Sequence, residues 1–244
     1  MKTILITGAS SGIGRATAEL FLDKGWQVGL LARRRDALED VAQGHDGAVI
    51  LPADVTDPDA TARAFDSFAA KAGRLDVLFN NAGMFGPSAP PDEVTVEDFD
   101  AVMAVNLRGM FIAARLAFAQ MRAQVPQGGR IVNNGSISAH SPRPGSICYT
   151  TTKHAVTGLT KSLSLDGRPF DIACGQLDIG NARTELVQAL VDKARQDDPD
   201  ASGPPTMDVT HAARAVLHMA ELPAEANVQF MTVTATQMPF IGRG

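Results

Sequence analysis

Seven short apolar runs recur along the chain, at 2–7, 27–32, 48–53, 75–80, 130–135, 170–177 and 228–234. Most are nearly continuous in apolar residues, as strands buried on both faces of a parallel sheet must be. Between them the apolar positions fall at helical spacing, over 12–24, 35–43, 58–72, 95–123, 149–166 and 208–221. Two of these helices carry start signals: Asp57 ahead of Pro58, and Thr95 ahead of Val96-Glu97-Asp98. Strand and helix alternate over the whole chain without repeat or linker. That order predicts one α/β domain with right-handed crossovers and a doubly wound parallel sheet of about seven strands. One polar, Pro/Gly-rich stretch, 192–206, interrupts the pattern late. Together with the helical spacing at 185–194, it marks 185–206 as a lid expected over the site.

Composition changes this picture little. The 244 residues are 45% apolar and 20% charged, enough for one large core. The net charge is −5, and the only basic run is Arg33-Arg34-Arg35, which argues against a nucleic-acid partner. The opening "MKTILITGAS" holds too short an apolar run for a signal peptide, and no stretch reads as the roughly 20 apolar residues of a membrane span. Two cysteines, Cys148 and Cys174, are too few for a disulfide framework. The expectation is a soluble cytoplasmic protein with no membrane partner. Cys148, beside Tyr149, reads as a packing residue rather than a nucleophile. His140, His154, His211 and His218 show no metal-ligand spacing, so no metal is expected.

Chemistry enters with the turn after the first strand. "TGASSGIG" places Gly8, Gly12 and Gly14 between a strand and a helix, a wider relative of the G-x-G-x-x-G dinucleotide fingerprint. Gly8 permits the sharp turn, Gly12 lets the backbone approach a pyrophosphate, and Gly14 lets the helix pack on the sheet. The helix N-terminus offers N–H groups to the phosphates. In this context the sheet is of the Rossmann type. The end of the second strand then selects the nucleotide. An acid there would hold ribose hydroxyls, but the sequence is Ala32-Arg33-Arg34-Arg35. A guanidinium at Arg33 suits a 2′-phosphate, so NADP is favoured over NAD.

The only tyrosine, Tyr149, precedes Lys153 by four residues, so phenol and ammonium share one helix face. Such a pair alone is a common accident. It occurs here in one order with the glycine turn, "DVTD" at 54–57, "NNAG" at 80–83, Asn106 and Ser136. Together these motifs resemble the short-chain dehydrogenase/reductase family, in its branch of about 250 residues, over essentially the whole chain.

The resemblance implies a catalytic tetrad of Asn106, Ser136, Tyr149 and Lys153, and hydride transfer between NADP(H) and a carbonyl or secondary alcohol. Tyr149 would be the acid/base. Lys153 would lower its pKa and hold the nicotinamide ribose, Ser136 would hold the substrate oxygen, and Asn106 would position a water. Cofactor contacts are implied for Gly8, Ser10, Ser11, Gly12, Ile13 and Gly14 in the turn. Arg33, then Asp54 and Val55 at the adenine, would follow. Asn81, Ala82 and Gly83 would line the cofactor after the fourth strand, with Tyr149, Lys153, Ile179 and Thr184 at the nicotinamide end. Ser138 competes with Ser136 for the substrate oxygen. The family resemblance also implies a homodimer or homotetramer.

Two places depart from the family. Relatives usually carry Pro-Gly after the sixth strand, where this chain has Ile179-Gly180, and the C-terminus lacks a common glycine pair. Met84, Phe85, His140 and Arg143 are the expected substrate wall, compatible with a ketone, a sugar, or an acyl chain with an anionic head. A nucleotide-binding regulator without turnover is the alternative reading, but it would be expected to lose Tyr or Lys. A sugar-nucleotide epimerase is disfavoured, because 244 residues leave no room for its usual substrate domain.

Overall fold

Along β1 (Thr3–Thr7) side chains alternate between two faces: Ile4 and Ile6 enter one apolar cluster and Leu5 the other. The computed structural model describes residues 1–185, 187–188, 191–192 and 203–241. Six further strands join β1: β2 (Gln27–Ala32), β3 (Ala48–Pro52), β4 (Val77–Asn80), β5 (Gly129–Asn134), β6 (Ile172–Gly180) and β7 (Phe230–Thr234). All pairings are parallel, in the order β3-β2-β1-β4-β5-β6-β7. The expected doubly wound sheet is present.

The helices divide between its faces. Phe21 of α1 (Gly12–Asp23), Leu38 of α2 (Arg35–Ala42) and Met219 of α7 (Val209–Glu221) fill one cluster. Phe68 of α3 (Pro58–Ala72), Met121 of α5 (Met110–Ala123) and Leu163 of α6 (Ile147–Gly167) pack in the other. The expected caps form: the Asp57 carboxylate accepts from the main-chain N–H of Asp59 and Ala60, and the Thr95 hydroxyl accepts from that of Asp98.

Three expectations shift. β4 starts at Val77, because Thr3 and Asp76 bond through their side chains just before the ladder begins. β6 runs on to Gly180 and so carries Asp178 and Ile179 inside the sheet. The long helix of 95–123 divides into α4 (Val96–Met103), a π-helical stretch (Ala104–Gly109) and α5. By length and composition the run from Val96 to Ala123 could cross a membrane, contrary to the expectation from apolar runs. In this fold it packs on the sheet, with Val102, Met110, Ala113, Ala117 and Met121 buried.

The chain winds outward from β1 to β3, returns to β4, and winds the other way to β7. The strand order therefore reverses between β1 and β4, where open α/β sheets bind ligands beyond the carboxyl ends of their strands.

Candidate active site

At those carboxyl ends Thr7 lies beside Leu31, Asn80 beside Asn133, and Asn134 beside Leu177. The segments that follow therefore open on one edge of the sheet, around a cleft of about 370 Å³. Gly8 turns there with φ +69°, which L side chains rarely adopt. A Cβ on Gly14 would lie 2.1 Å from the Gly8 carbonyl oxygen, so α1 can begin this close to the turn only with glycine. Ser11, the N-cap of α1, makes no side-chain cap bond. Ser10, Ser11, Gly12 and Ile13 all line the cleft. Thr184 faces the turn, its methyl 3.3 Å from where a Gly12 Cβ would sit. Asn81 ties the two halves together: its amide donates to the Thr7 carbonyl and its Oδ1 accepts from Asn134 Nδ2.

At the far end Arg33 and Arg34 line the cleft with Asp54 and Val55. Arg35 lies 3.6 Å from Glu39, whereas neither Arg33 nor Arg34 pairs with a carboxylate among the described residues. Asp54 Oδ1 is occupied by the N–H and hydroxyl of Thr56. Ala82 and Gly83 line the middle. An uncapped helix start, two guanidinium groups without carboxylate partners and a buried Asn134 Oδ1 with no hydrogen-bond partner, all among the described residues, make a cradle that fits an anionic dinucleotide.

The other end holds Ser136, Tyr149 and Lys153, all lining the same cleft. Lys153 is buried on α6, and its Nζ donates to the Asn134 carbonyl at 2.7 Å and lies 5.4 Å from the centre of the Tyr149 ring. Ser136 Oγ accepts from the Ser138 N–H, which leaves its own proton free to donate. Phe85 meets the Tyr149 ring edge-on at 4.9 Å, and Arg143 lies 5.9 Å from the Phe85 ring. Arg143 is set between Pro142 and Pro144, and its main-chain carbonyl accepts from the Ser146 hydroxyl.

Burial is the largest influence on both titrating groups. It raises the Tyr149 phenol above its ordinary value, while the Ser136 hydroxyl and the Arg143 charge lower it and Asp178 raises it. It pushes Lys153 down to about 8, with Asp178 opposing. Without the positive nicotinamide ring that the expected lowering also relied on, removing a phenolate from water outweighs the nearby dipoles and charges. Of Ser136 and Ser138, only Ser136 is among the groups that shift the phenol. Both serines line the cleft.

Asn106 is tied to its neighbours by its side chain. Its amide accepts from the Met84 N–H, and donates to the Met84 carbonyl and the Thr152 hydroxyl, so the side chain is spent on protein groups. It stands behind the cleft and fixes the segment after β4 against α6. His140 also lies outside the lining and instead meets Asp178 at 2.8 Å. Asp178 was missed in the sequence, although a carboxylate inside an apolar strand run was a signal. Met238, from the tail, lines the cleft and joins Ile137, Ala235 and Phe240 in a small apolar cluster. Ile179 lines it in place of the usual proline, next to Asn181. Glu185, Val187 and Pro204 line its mouth, but residues 186, 189, 190 and 193–202, most of the expected lid, lie outside the described residues. Cys148 and Cys174 are free and buried, and burial pushes the Cys174 thiol up to about 12. Among the described residues no cluster could hold a metal.

The family model for short chain dehydrogenase matches residues 2–195. The chain belongs to the short-chain dehydrogenase/reductase family. This short-chain dehydrogenase is 35% identical over 220 residues to 2-(R)-hydroxypropyl-CoM dehydrogenase of Xanthobacter autotrophicus, covering 87% of each chain. Its fold matches a 3-ketoacyl-(acyl-carrier-protein) reductase from Brucella melitensis complexed with NADH. The TM-score is 0.86 and the identity 28%, over 96% of this chain and 97% of that one. A structure of ElxO with NADP bound matches at TM-score 0.85 and 28% identity, over 96% and 97%. The family relationship supports an NAD(P)-binding oxidoreductase acting on CH–OH or C=O groups of small molecules.

Proposed function

We propose that this oxidoreductase uses NADP(H) to interconvert a small carbonyl compound and its secondary alcohol, with Tyr149 as acid/base. The observation that carries the reading is that Tyr149, Lys153 and Ser136 line one cleft with the glycine turn. Bound there, the nicotinamide cofactor supplies or accepts the hydride and, when oxidised, brings a positive charge.

The residues do the rest. Ser136 donates its free proton to the substrate oxygen and holds it toward the phenol. Tyr149 gives its proton to that oxygen in reduction and takes it back in oxidation. A phenol raised by burial stays protonated at neutral pH, ready to act as the acid. Lys153 is a cation below about pH 8 and places that charge beside the ring. Met84, Phe85, Ile137, Ile179 and Met238 make the substrate end apolar and exclude water, while Arg143 adds one cation.

Preference for NADP rests on Arg33 and Arg34, which lack carboxylate partners among the described residues where a 2′-phosphate would lie. Assembly as a homodimer or homotetramer is supported by Phe111 on α5 and Leu165 on α6, both left substantially exposed. Cytoplasmic location is consistent with the two free cysteines.

The test is oxidation of NADPH and of NADH, followed by absorbance against a panel of ketones and aldehydes. The expected result is turnover with a lower KM for NADPH. No turnover with any carbonyl compound or secondary alcohol would sink the enzymatic reading, and a preference for NADH would sink the cofactor reading.

A further inference from the structure

Asp178 is the least expected group near the site. It is buried inside β6, only 1% exposed, with apolar Leu177 and Ile179 on either side. Its Oδ1 accepts from the Ser136 main-chain N–H at 2.9 Å and from Gln176 Nε2 at 2.7 Å. Its Oδ2 lies 2.8 Å from His140 Nε2, and the His140 side chain is 45% exposed. A buried carboxylate costs several kcal/mol unless it is satisfied, and a neutral residue would hold Ser136 more cheaply. The fold also gives up a side chain to make room, because a Cβ on Gly135 would lie 2.0 Å from Asp178 Oδ1.

We infer that Asp178 is a positioning residue for the reaction, holding Ser136 by its main chain, held in turn by His140, and setting a buried carboxylate beside the Tyr149–Lys153 couple. The mechanism above assigns neither residue a part, so the inference goes beyond the proposed function, although it rests on Tyr149 being the acid/base. Among the described residues, His140 after β5 bonds Asp178, and Tyr149 and Lys153 on α6 feel its charge. Its neighbours along and across the sheet, Gln176 and Thr232, are neutral. Asp178 favours the protonated form of both Tyr149 and Lys153. The carboxylate thus keeps the ammonium charged against burial and keeps the phenol an acid. His140 bonds the other carboxylate oxygen at the surface.

Tyr149 is the only tyrosine, so phenolate absorbance near 295 nm reads this one group. Asp178→Asn keeps an acceptor for Ser136 and removes the charge. In the full-length protein without added substrate, its phenol midpoint should fall by roughly half a unit to one unit. His140→Gln keeps the carboxylate and should leave that alkaline midpoint in place. A His140→Gln midpoint that falls as far as that of Asp178→Asn would overturn the assignment of the effect to the carboxylate. An unmoved or raised midpoint in folded Asp178→Asn would overturn the inference. If that variant does not fold, Asp178→Ser is titrated in its place, and an unmoved or raised midpoint there overturns it. The phenol titration needs no turnover, so its failure is distinct from failure of the proposed enzymatic activity.

Discussion

Replacing Ser136 by Ala should make the Tyr149 phenol a weaker acid, and the size of the change can be worked from the site. The Ser136 hydroxyl is the largest influence opposing burial at that phenol. Its lone pair is engaged by the Ser138 N–H at 3.1 Å, so its proton is free to stabilise a phenolate. A complete hydrogen bond to a charged group contributes about 1.5–3 kcal/mol. No direct bond of ordinary length joins the two oxygens, so a share of about 1 kcal/mol is appropriate. At 1.36 kcal/mol per unit, that predicts a midpoint higher by about 0.7. The assay is difference absorbance near 295 nm across alkaline pH, with far-UV circular dichroism at each point to confirm that the chain stays folded. The same titration with saturating NADP⁺ should place both midpoints lower, since a nearby positive charge favours phenolate. A Ser136→Ala midpoint equal to or below wild type would refute the argument that this hydroxyl faces the phenol as a donor.

The remaining predictions concern the rest of the site. Tyr149→Phe should retain NADPH binding, measured by fluorescence, and lose about 10²-fold to 10⁴-fold in kcat; wild-type turnover would remove Tyr149 from its role. Arg33→Ala should raise the KM for NADPH about 10-fold to 100-fold, the equivalent of a charge-assisted hydrogen bond, with NADH nearly unaffected; equal losses for both would refute the phosphate contact. Lys153→Met should abolish activity yet add about 1–3 kcal/mol of stability to urea unfolding at pH 7. The sign follows from a folded pKa of about 8 against 10.5: between those values the unfolded chain binds a proton that the folded chain does not. Wild-type stability from this group therefore rises from pH 8 to 10.5, and the advantage of Met should fade over the same window. A less stable variant at pH 7 would contradict it.

Much of the fold was legible because its signals are local. Seven apolar runs separated by helical spacing need only side-chain periodicity, and caps at Asp57 and Thr95 need only a short polar side chain at a helix start. The cleft was legible for the same reason: in a parallel doubly wound sheet, residues just past the strands must share an edge, so Gly8, Arg33, Asn81 and Ser136 had to meet. What escaped notice depends on partners distant in sequence. Asp178 reads as one acid until His140, 38 residues earlier, is placed against it. The bonds of the Asn106 amide to Met84 and Thr152, 22 and 46 residues away, are equally invisible in the sequence. The i, i+4 spacing names the neighbour of Tyr149 but not its depth of burial. The lid expected at 185–206 falls mostly outside the described residues.

The return of the C-terminal tail to the cleft has a practical side. Met238 reaches the lining and packs with Ile137, one residue after Ser136, while Lys2 and Thr3 enter β1 at the opposite edge of the sheet. An affinity tag therefore belongs at the N-terminus, where it hangs from the edge remote from the chemistry. The same tag placed close after Met238 and Phe240 would sit beside the cleft lining. Any low activity measured on such a preparation would then describe the fusion rather than the enzyme.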